Sequence, residues 1–520
     1  MKGKGIFWCQ LLALLYLLPA LVVTAADSRP NVVILLADDL GWSDVGFHGS
    51  NIETPGIDRI ASEGVQLNRF YSTPICTPTR AALLTGRDPL PLGMAYSVLM
   101  PWDNFGVDFS EHFMSESFRA AGYDTAMIGK WHLGHTVPEH HPNANGFDYF
   151  FGHLHTAPDY FTHKIQHGID LQRNGETVNR TGEYVTFVDG EATVDWLVNR
   201  RDKNKPFFLY VPFVAPHNPM QAPQDLIDKY KHIPAEPSNP QDRPMYRRIN
   251  AAMIDALDQT IVDILNALDS EGVANNTIVL FFSDNGGSSA NGSSNKPLRG
   301  WKGQTFEGGI RVVAAMRWPK TLRAGKVNNQ VMTAMDVFPT LAAATGVKMG
   351  NTKAIDGQNV WPNIRRNKAT KRKDDIFFSS EISTAGLFHN TVINGDWKLV
   401  QVVDQLLETT TVKNMLFNLA DDPNEKIDLA AKHPERVQDF AQRIHNWRTQ
   451  HPIAGTRTRL VPPPGWRPAL DWAAAMRAAG PHVNKTLKHA DMGMGVEALG
   501  PELMQMLDEY YGERGRLLYK

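Results

Sequence analysis

The most reactive pattern in this 520-residue sequence is the stretch Cys-Thr-Pro-Thr-Arg, which begins at Cys76 and ends at Arg80. Pro78 suits the first position of a helix and Gly86 suits its end, so the stretch predicts a short helix with Cys76 at its N-terminus. Free backbone N–H groups and the positive end of the helix dipole gather there, beside the charge of Arg80. The pattern places an anion site next to a nucleophile, although a thiol taken alone is most often a small buried side chain.

Two apolar runs without polar alternation each lead into a pair of oxygen-bearing side chains. The runs are residues 30–37 and 277–282, and the pairs are Asp38 with Asp39 and Asp284 with Asn285. Such runs are typical of parallel strands buried on both faces, whose carboxyl ends form the edge where α/β sheets build their sites. Three carboxylates and an amide oxygen gathered together need a hard divalent cation, which favours calcium or magnesium over zinc. Either pair alone would be read as acidic turn residues.

Side chains that can carry positive charge follow two further predicted strands, residues 124–129 and 206–214. These side chains are Lys130 and His132 after the first strand and His217 after the second, and Lys302 joins them from a glycine-rich turn. A single histidine or lysine of this kind usually has a structural or solvated role. Here the strand ends fall on the same sheet edge as the acids, which favours a shared site.

In their order along the chain, these motifs resemble those of the type I sulfatases. The motifs are Asp-Asp-x-Gly-Trp from residue 38, Cys-x-Pro-x-Arg from 76, Gly-Lys-Trp-His from 129, Pro-His from 216, Ser-Asp-Asn-Gly from 283, and Lys302 followed by Glu307-Gly-Gly. The likeness covers essentially the whole chain after the leader and departs from the family at no core position. Residues 131–134 and the spacing of Lys302 to Glu307 look most like the arylsulfatase B group.

The resemblance implies a cofactor set and a fold. Cys76 would be converted to formylglycine by a formylglycine-generating or an anaerobic sulfatase-maturating enzyme, acting as a transient partner. One calcium ion would be held by the modified Cys76 and by Asp38, Asp39, Asp284 and Asn285. The fold would be α/β and alkaline-phosphatase-like, with a mixed, largely parallel sheet sandwiched by helices. A smaller C-terminal α+β subdomain built on a short antiparallel sheet would close it.

The resemblance also implies a role for each cationic residue. Arg80 would fix the formylglycine, and Lys130 would reach a sulfate oxygen. One hydroxyl of the formylglycine hydrate would attack sulfur while His217, aided by Lys302, protonates the leaving oxygen. His132 would then deprotonate the second hydroxyl so that sulfate is expelled. Lys130, His217 and Lys302 would therefore bind the substrate.

Two loops at the same sheet edge, residues 92–106 and 152–168, are expected to shape the substrate pocket. The first carries Trp102 and Asp103, which we assign to substrate binding. The second carries four histidines whose spacing fits no standard ligand pattern, so sugar contacts or plain loop structure are favoured over a second metal site. These are His153, His155, His163 and His167.

Residues 1–26 have the features of a secretory signal peptide, in which two lysines precede an apolar run that ends in small residues. An uncleaved anchor is the alternative, since the run is nearly long enough to span a bilayer. Cys9 lies in this leader, so the mature chain would keep only Cys76 and form no internal disulfide. We therefore expect a periplasmic or secreted protein without stable membrane insertion, and a bacterial periplasm in preference to a lysosomal or extracellular location. Four glycosylation sequons do not reverse this expectation: Asn179, Asn275, Asn291 and Asn484.

The composition is that of an ordinary globular protein, with 42% hydrophobic residues and a net charge of −2, and it gives no sign of a nucleic-acid partner. The length suits a catalytic domain over residues 27–360 and a C-terminal subdomain over residues 361–520. Within the latter we expect short strands between residues 376 and 418 and an amphipathic helix over residues 433–449.

These patterns predict an exported sulfatase that hydrolyses sulfate esters of a sulfated polysaccharide or oligosaccharide. The main alternative is a phosphate or phosphonate monoester hydrolase of the same superfamily, which would share the fold and the metal ligands. A carbohydrate-binding relative without activity would lose Cys76 or the lysines, and both are present here.

Overall fold

A computed structural model gives the structure of residues 29–96, 98–233, 244–350, 353–381, 387–404, 410–451, 462 and 464–479. The predicted signal peptide and the sequon at Asn484 lie outside these ranges. Within them, every helix is too short or too polar to cross a bilayer.

The described residues form the following strands: β1 (Asn31–Ala37), β2 (Val65–Leu67), β3 (Phe70–Tyr71), β4 (Asp124–Lys130), β5 (Tyr149–His153), β6 (Lys164–Ile165), β7 (Gly168–Ile169), β8 (Gln172–Arg173), β9 (Glu176–Thr177), β10 (Phe207–Pro212), β11 (Thr277–Ser283), β12 (Ala314–Arg317), β13 (Lys326–Asn328), β14 (Met332–Thr333), β15 (Ile376–Glu381), β16 (Leu387–Asn394), β17 (Trp397–Asp404) and β18 (Thr411–Asn418).

The α-helices of the same ranges are α1 (Pro55–Ser62), α2 (Cys76–Thr85), α3 (Met114–Ala120), α4 (Val185–Asp195), α5 (Gln224–Lys229), α6 (Pro244–Ser270), α7 (Glu307–Ile310), α8 (Val337–Thr345), α9 (Trp361–Arg366), α10 (Pro434–Arg448) and α11 (Trp472–Ala479).

Ten of these strands form one mixed sheet in the order β13-β2-β12-β11-β1-β10-β4-β5-β8-β9. Its centre is parallel, with β1 between β10 and β11, and with β4 and β5 beyond β10. The antiparallel pairs lie toward the two edges, at β11–β12–β2 and at β5–β8–β9. The four apolar runs expected to be buried strands are β1, β4, β10 and β11, so the predicted α/β sheet is confirmed.

Helices cover both faces of this sheet because side chains of each buried strand alternate between them. On β1, Ile34 packs on the face covered by α2, α3 and α8, and Leu35 packs on the face covered by α1, α4 and α6. Both side chains are fully buried. The parallel strands therefore point their carboxyl ends, with the loops that follow them, to one edge of a closed sandwich.

The C-terminal sheet is antiparallel, with strands in the order β15-β16-β17-β18. One face packs on α10, where Phe440 and Ile444 meet Leu399 and Leu416. The other face packs on the main body, where Ile310 lies in one cluster with Val400 and other sheet residues. The small antiparallel sheet and the amphipathic helix are therefore confirmed, whereas the domain boundary at residue 360 stays a prediction.

Helix α2 begins earlier than the sequence pattern indicated. The prediction placed Pro78 at the first helical position, but the helix begins at Cys76, after an extended Ile75. Proline is tolerated there because the first-turn N–H groups have no partner within the helix. Gly86 ends the helix in the left-handed conformation, with a φ of 69°, as expected.

We expect Ile444→Ala to lower the free energy of unfolding by about 2–4 kcal/mol, because it opens a cavity among the buried side chains of α10. Ile444 is fully buried, and the exposed Gln438 on the same helix gives the matched control, Gln438→Ala. Urea unfolding followed by tryptophan fluorescence measures both. Equal stability of the two variants would contradict the packing described for α10.

Candidate active site

The four predicted oxygen ligands meet at the carboxyl ends of β1 and β11. These strands pair in parallel with Ala37 opposite Ser283, so the residues that follow each strand are brought side by side. The Asp284 N–H donates to the Ala37 carbonyl at 2.9 Å, and the Asp39 N–H faces Asp284 Oδ1 at 3.4 Å. Asp38, Asp39, Asp284 and Asn285 are all buried, at most 1% exposed. The pairing of two strands thus concentrates three carboxyl groups in a space without bulk water.

Cys76 reaches this group from the N-terminus of α2. Its side chain is 1% exposed, and its Sγ atom lies 3.4 Å from Nδ1 of His132. Ligand atoms of Asp38, Cys76 and Asp284 lie within 4.8 Å of one another. Burial raises the pKa of the Cys76 thiol, so the unmodified side chain is a neutral thiol here and a poor nucleophile.

Arg80 holds the acids and the neighbouring strand together. Its Nη2 donates to Asp284 Oδ2 at 2.8 Å and to Asp38 Oδ2 at 3.3 Å, and its Nη1 donates to the Lys130 carbonyl at 2.9 Å. The guanidinium is completely buried, and one face of α2 carries it inward beside Cys76. A planar group with several fixed donors is needed to reach three acceptors from three separate segments.

Two lysines supply the remaining positive charge. Lys130, at the end of β4, places Nζ 2.5 Å from Asp38 Oδ2 and 3.1 Å from Thr156 Oγ1. Lys302 places Nζ 2.6 Å from Asp39 Oδ1, and its side chain is 19% exposed. Burial, the largest single influence, would raise the pKa of Asp38, but the positive charges around it, Lys130 first and then Arg80 and Lys302 among them, together outweigh burial and hold that pKa well below its usual range.

His132 presents one ring nitrogen to Cys76. Its Nε2 lies 2.8 Å from the Leu99 carbonyl, an acceptor only, so Nε2 carries the proton and Nδ1 the lone pair. Nδ1 then faces Cys76 Sγ at 3.4 Å and Thr77 Oγ1 at 3.3 Å. Burial, followed by the charge of Lys130, holds the pKa of His132 well below its usual value, which keeps the ring neutral.

His217 lies across the site, after β10. Its Nδ1 lies 2.7 Å from the Asn218 carbonyl, so Nδ1 donates, and its Nε2 lies 3.8 Å from Asp39 Oδ2. Burial, followed by the charge of Lys302, lowers the pKa of His217 to about 4. In the protein alone, this histidine is therefore neutral at neutral pH.

The residues at this edge fit a hard divalent cation. Two buried acceptors, Asp38 Oδ1 and Asn285 Oδ1, find no hydrogen-bond donor among the residues that the structure describes, which is costly for groups removed from water. Burial and the charge of Asp38 raise the pKa of Asp284 to about 7, because the neighbouring carboxylate repels a second negative charge. A cation between these oxygens would satisfy the acceptors and relieve the crowding, and an oxygen-rich donor set of this kind favours calcium or magnesium.

The backbone is strained at two of these residues. Asp39 and His132 adopt left-handed conformations, with φ values of 67° and 61°. Residues other than glycine rarely do so, and such strain is retained where the surrounding structure fixes it. Both residues lie two positions beyond the end of their strand, β1 for Asp39 and β4 for His132.

Asn291 belongs to the site although the sequence presents it only as a sequon. It is 4% exposed, and its Nδ2 donates to Asp39 Oδ2 at 3.1 Å. Asp39 Oδ1 meanwhile accepts from Asn285 Nδ2 at 2.7 Å. The sequence gives no signal for this contact, since Asn291 lies in a serine-rich loop after β11. Thr156, which accepts from Lys130, is likewise found only in the structure.

The residues expected to line the substrate pocket differ in how exposed they are. Trp102 is half-buried and meets Trp466 edge to face, with ring centroids 5.8 Å apart. Asp103 accepts the Met100 N–H at 2.7 Å and so stabilises its own loop. Of the four loop histidines, the first three are buried and His167 is exposed. Within the described ranges, no three of these histidines bring ligand atoms close enough together to share a metal ion.

Comparison with known proteins assigns the chain to a family. The Sulfatase family model matches residues 30–347, and a model described as N-sulphoglucosamine sulphohydrolase, C-terminal, matches residues 300–450. The chain belongs to the type I sulfatase family and is a sulfuric ester hydrolase, as the motifs predicted. The finer assignment to the arylsulfatase B group stays a prediction.

Individual relatives span most of the chain. It is 33% identical to arylsulfatase J of Mus musculus over 464 residues, which cover 81% of this chain and 76% of the relative. It is 32% identical to N-acetylgalactosamine-6-sulfatase of Homo sapiens over 492 residues, or 86% and 90% of the two chains. The crystal structure of Ps i-CgsB in complex with k-i-k-neocarrahexaose superposes with a TM-score of 0.73 at 29% identity, covering 89% of this chain and 99% of that one.

We expect Asn291→Ala to lower kcat/KM on an activated aryl sulfate about 10-fold, because Asp39 loses a buried hydrogen bond. Asn291→Asp should lower it further, since a second carboxylate beside Asp39 repels it. The exposed sequon residue gives the control, Asn179→Ala, which should match the wild type. Full activity of Asn291→Asp, or a glycan on Asn291 after expression in a glycosylating host, would contradict the buried contact.

Proposed function

We propose that the protein hydrolyses sulfate esters on a sulfated polysaccharide or oligosaccharide, using a formylglycine made from Cys76 and one calcium ion. The observation that carries the proposal is the position of Cys76. Its Sγ lies beside buried oxygen ligands on one side and the free nitrogen of His132 on the other. A neutral, buried thiol at this position would be a poor nucleophile, whereas a formylglycine hydrate would supply a hydroxyl that can attack sulfur.

Calcium would be held by Asp38, Asp39, Asp284, Asn285 and the modified residue 76, and would draw electron density from the sulfate oxygens as a Lewis acid. The formylglycine hydrate would supply one hydroxyl to attack sulfur and a second hydroxyl that allows sulfate to leave. Arg80 supports this arrangement through its bonds to Asp284 and Asp38.

The lysines bind and orient the substrate. Lys130 and Lys302 contact different acids, Asp38 and Asp39 respectively. Burial, the largest single influence, would lower the pKa of Lys302, but the acidic groups around it, Asp39 first among them, together outweigh burial and raise that pKa, so the side chain remains a cation. Two fixed cations favour the charge that develops on the sulfate oxygens in the transition state more than the charge of the ground state.

His132 serves as the base toward residue 76. The Leu99 carbonyl fixes the tautomer, so Nδ1 is free to accept a proton from that side chain. Its low pKa keeps the ring neutral and ready to accept.

His217 serves as the proton donor to the leaving oxygen. Its Nε2 faces Asp39, and its Nδ1 is held by the Asn218 carbonyl. A bound sulfate ester brings negative charge to this nitrogen, which opposes the effect of Lys302 and raises the pKa of His217 from its value in the protein alone. Lys302 assists by stabilising the departing oxygen.

The substrate class rests on the relatives. Human N-acetylgalactosamine-6-sulfatase is named for a sulfated sugar, and Ps i-CgsB was crystallised with an oligosaccharide, k-i-k-neocarrahexaose. We extend this class to the present chain, with export through the predicted signal peptide to a bacterial periplasm or the medium. Conversion of Cys76 would need a formylglycine-generating or an anaerobic maturating enzyme in the same cell.

The first test compares an aryl sulfate with the matching aryl phosphate, using protein produced together with the converting enzyme. We expect Cys76→Ala to lower sulfate turnover by roughly 10⁴-fold or more, since a nucleophile is lost. Calcium chelation should lower turnover of the wild type and leave the residual rate of the variant unchanged.

Two outcomes would decide against this proposal. Preference for the phosphate would favour the phosphate or phosphonate ester hydrolase alternative. Retained activity in Cys76→Ala would exclude formylglycine, and mass spectrometry of the peptide containing residue 76 checks the conversion directly.

A second test concerns the pocket. The Leu99 carbonyl contacts His132, and Trp102 lies three residues after Leu99 in the same loop. We propose that Trp102 and Trp466, whose rings are in contact, stack on a sugar ring of the substrate. Trp466→Ala should then lower kcat/KM about 3- to 10-fold on a sulfated oligosaccharide, the range expected for one aromatic contact, and leave an aryl sulfate unaffected. Trp397→Ala, on the C-terminal sheet, serves as the control. An equal loss on both substrates would contradict a sugar contact.

A further inference from the structure

A buried charge cluster joins the C-terminal sheet to the main body. We call Lys398, Glu307 and Glu425 the Lys398 cluster. Nζ of Lys398, on β17, lies 3.0 Å from Glu307 Oε1 and 2.8 Å from Glu425 Oε1. All three side chains are completely buried. A buried lysine that contacts two carboxylates is costly to desolvate, so its position calls for an explanation beyond packing.

The cluster fixes the first residue of α7. The Glu307 N–H donates to Glu425 Oε2 at 2.6 Å, and the Tyr71 hydroxyl donates to Glu307 Oε2 at 3.1 Å. Arg299 donates from Nη1 to the Glu425 carbonyl at 2.9 Å. The two ends of the segment from residue 299 to residue 307 are therefore both tied to Glu425.

The segment between these ends carries Lys302. It closes on itself through a bond from the Gly308 N–H to the Arg299 carbonyl at 2.6 Å. The Lys302 N–H donates to the Gly287 carbonyl at 3.1 Å, and the Gly303 N–H donates to the Pro74 carbonyl at 2.8 Å. The turn thus contacts the segments that follow Asn285 and precede Cys76.

The fit between this turn and the metal-ligand segment is tight. A Cβ atom added at Gly286 would lie 1.9 Å from the Gly308 carbonyl oxygen, so the two backbones touch. A displacement of Glu307 would therefore move Gly308 against the residue next to Asn285. Because packed backbones do not deform gradually, the displacement would also shift the turn that presents Lys302.

We propose that Lys398 is a positioning residue for the sulfatase reaction, which acts through Glu307 and Glu425 to hold Lys302 at its distance from Asp39. This inference rests on the catalytic role proposed above for Lys302. It assigns to the C-terminal sheet a part in the geometry of the active site, although no residue of that sheet is among the proposed ligands or acid–base groups.

A double-mutant cycle with Lys302 tests the inference. Lys398→Met alone removes the cation that both buried carboxylates contact, leaves Arg311, 3.7 Å from Glu307 Oε2, to balance them, and threatens folding. The working variant is therefore Lys398→Met/Glu425→Gln, which keeps the net charge of the cluster. It is made in the wild type and in Lys302→Ala, and thermal unfolding confirms that each variant is folded. Lys413→Met, an exposed position on the same sheet, gives the matched control.

We expect the paired change to lower kcat on an activated aryl sulfate about 10- to 50-fold in the wild type, because a misplacement of about 1 Å in a catalytic group can cost up to 100-fold. The value of KM should change less than about 3-fold. In Lys302→Ala the same paired change should lower kcat less than about 2-fold, since the group that it positions is already absent. Lys413→Met should match the wild type.

A folded variant with wild-type kcat would overturn the inference. An equal loss in both backgrounds would also overturn it, because the cluster would then act on the structure in general and not through Lys302. If Lys302→Ala alone kept the wild-type rate, both the role of Lys302 and the inference would fail. If Lys302→Ala lowers kcat and the paired change lowers it by the same further factor in that background, the role of Lys302 stands and only the inference fails.

Discussion

The structure depends on the neutralisation of carboxyl groups that two parallel strands force together. Asp38, Asp39 and Asp284 are buried side by side, with the Asp39 N–H 3.4 Å from Asp284 Oδ1, and water cannot screen the repulsion of their carboxylates. Arg80, Lys130 and Lys302 each bond one or two of them, so three acids face three cations. These cations come from a helix, a strand and a turn that lie far apart in the sequence. The site is therefore complete only when this helix, strand and turn have packed together, and its geometry depends on charge balance as well as on packing.

Much of this arrangement is visible in the sequence because the relevant signals are local. The runs that become β1 and β11 are continuously apolar, and an acidic pair directly after each run marks the sheet edge. Cys76 and Arg80 share one helix, so their spacing alone places them together. Where the sequence pattern is local and strong, both the element and its functional end could be predicted.

The rest could not be predicted because it arises from contacts between distant segments. Asn291 reads as a sequon, and only the fold brings its amide to Asp39. Lys398 lies in an apolar strand and Glu425 in a polar turn, and nothing in their neighbours indicates that both will be buried against Glu307. Trp466 meets Trp102 across more than half of the chain. The start of α2 at Cys76, two residues before Pro78, shows that a helix boundary also depends on tertiary fit.

The near-complete burial of Cys76 has a consequence for the order of events during biosynthesis. A modifying enzyme cannot reach a side chain that is 1% exposed in the folded protein, so the conversion proposed above would have to occur on a nascent or still unfolded chain. Strand β17, which carries Lys398, is synthesised long after Cys76, and until it emerges Glu307 lacks its contact with Lys398. On this proposal, the modification of Cys76 would come before the C-terminal sheet packs against the main body and completes the site.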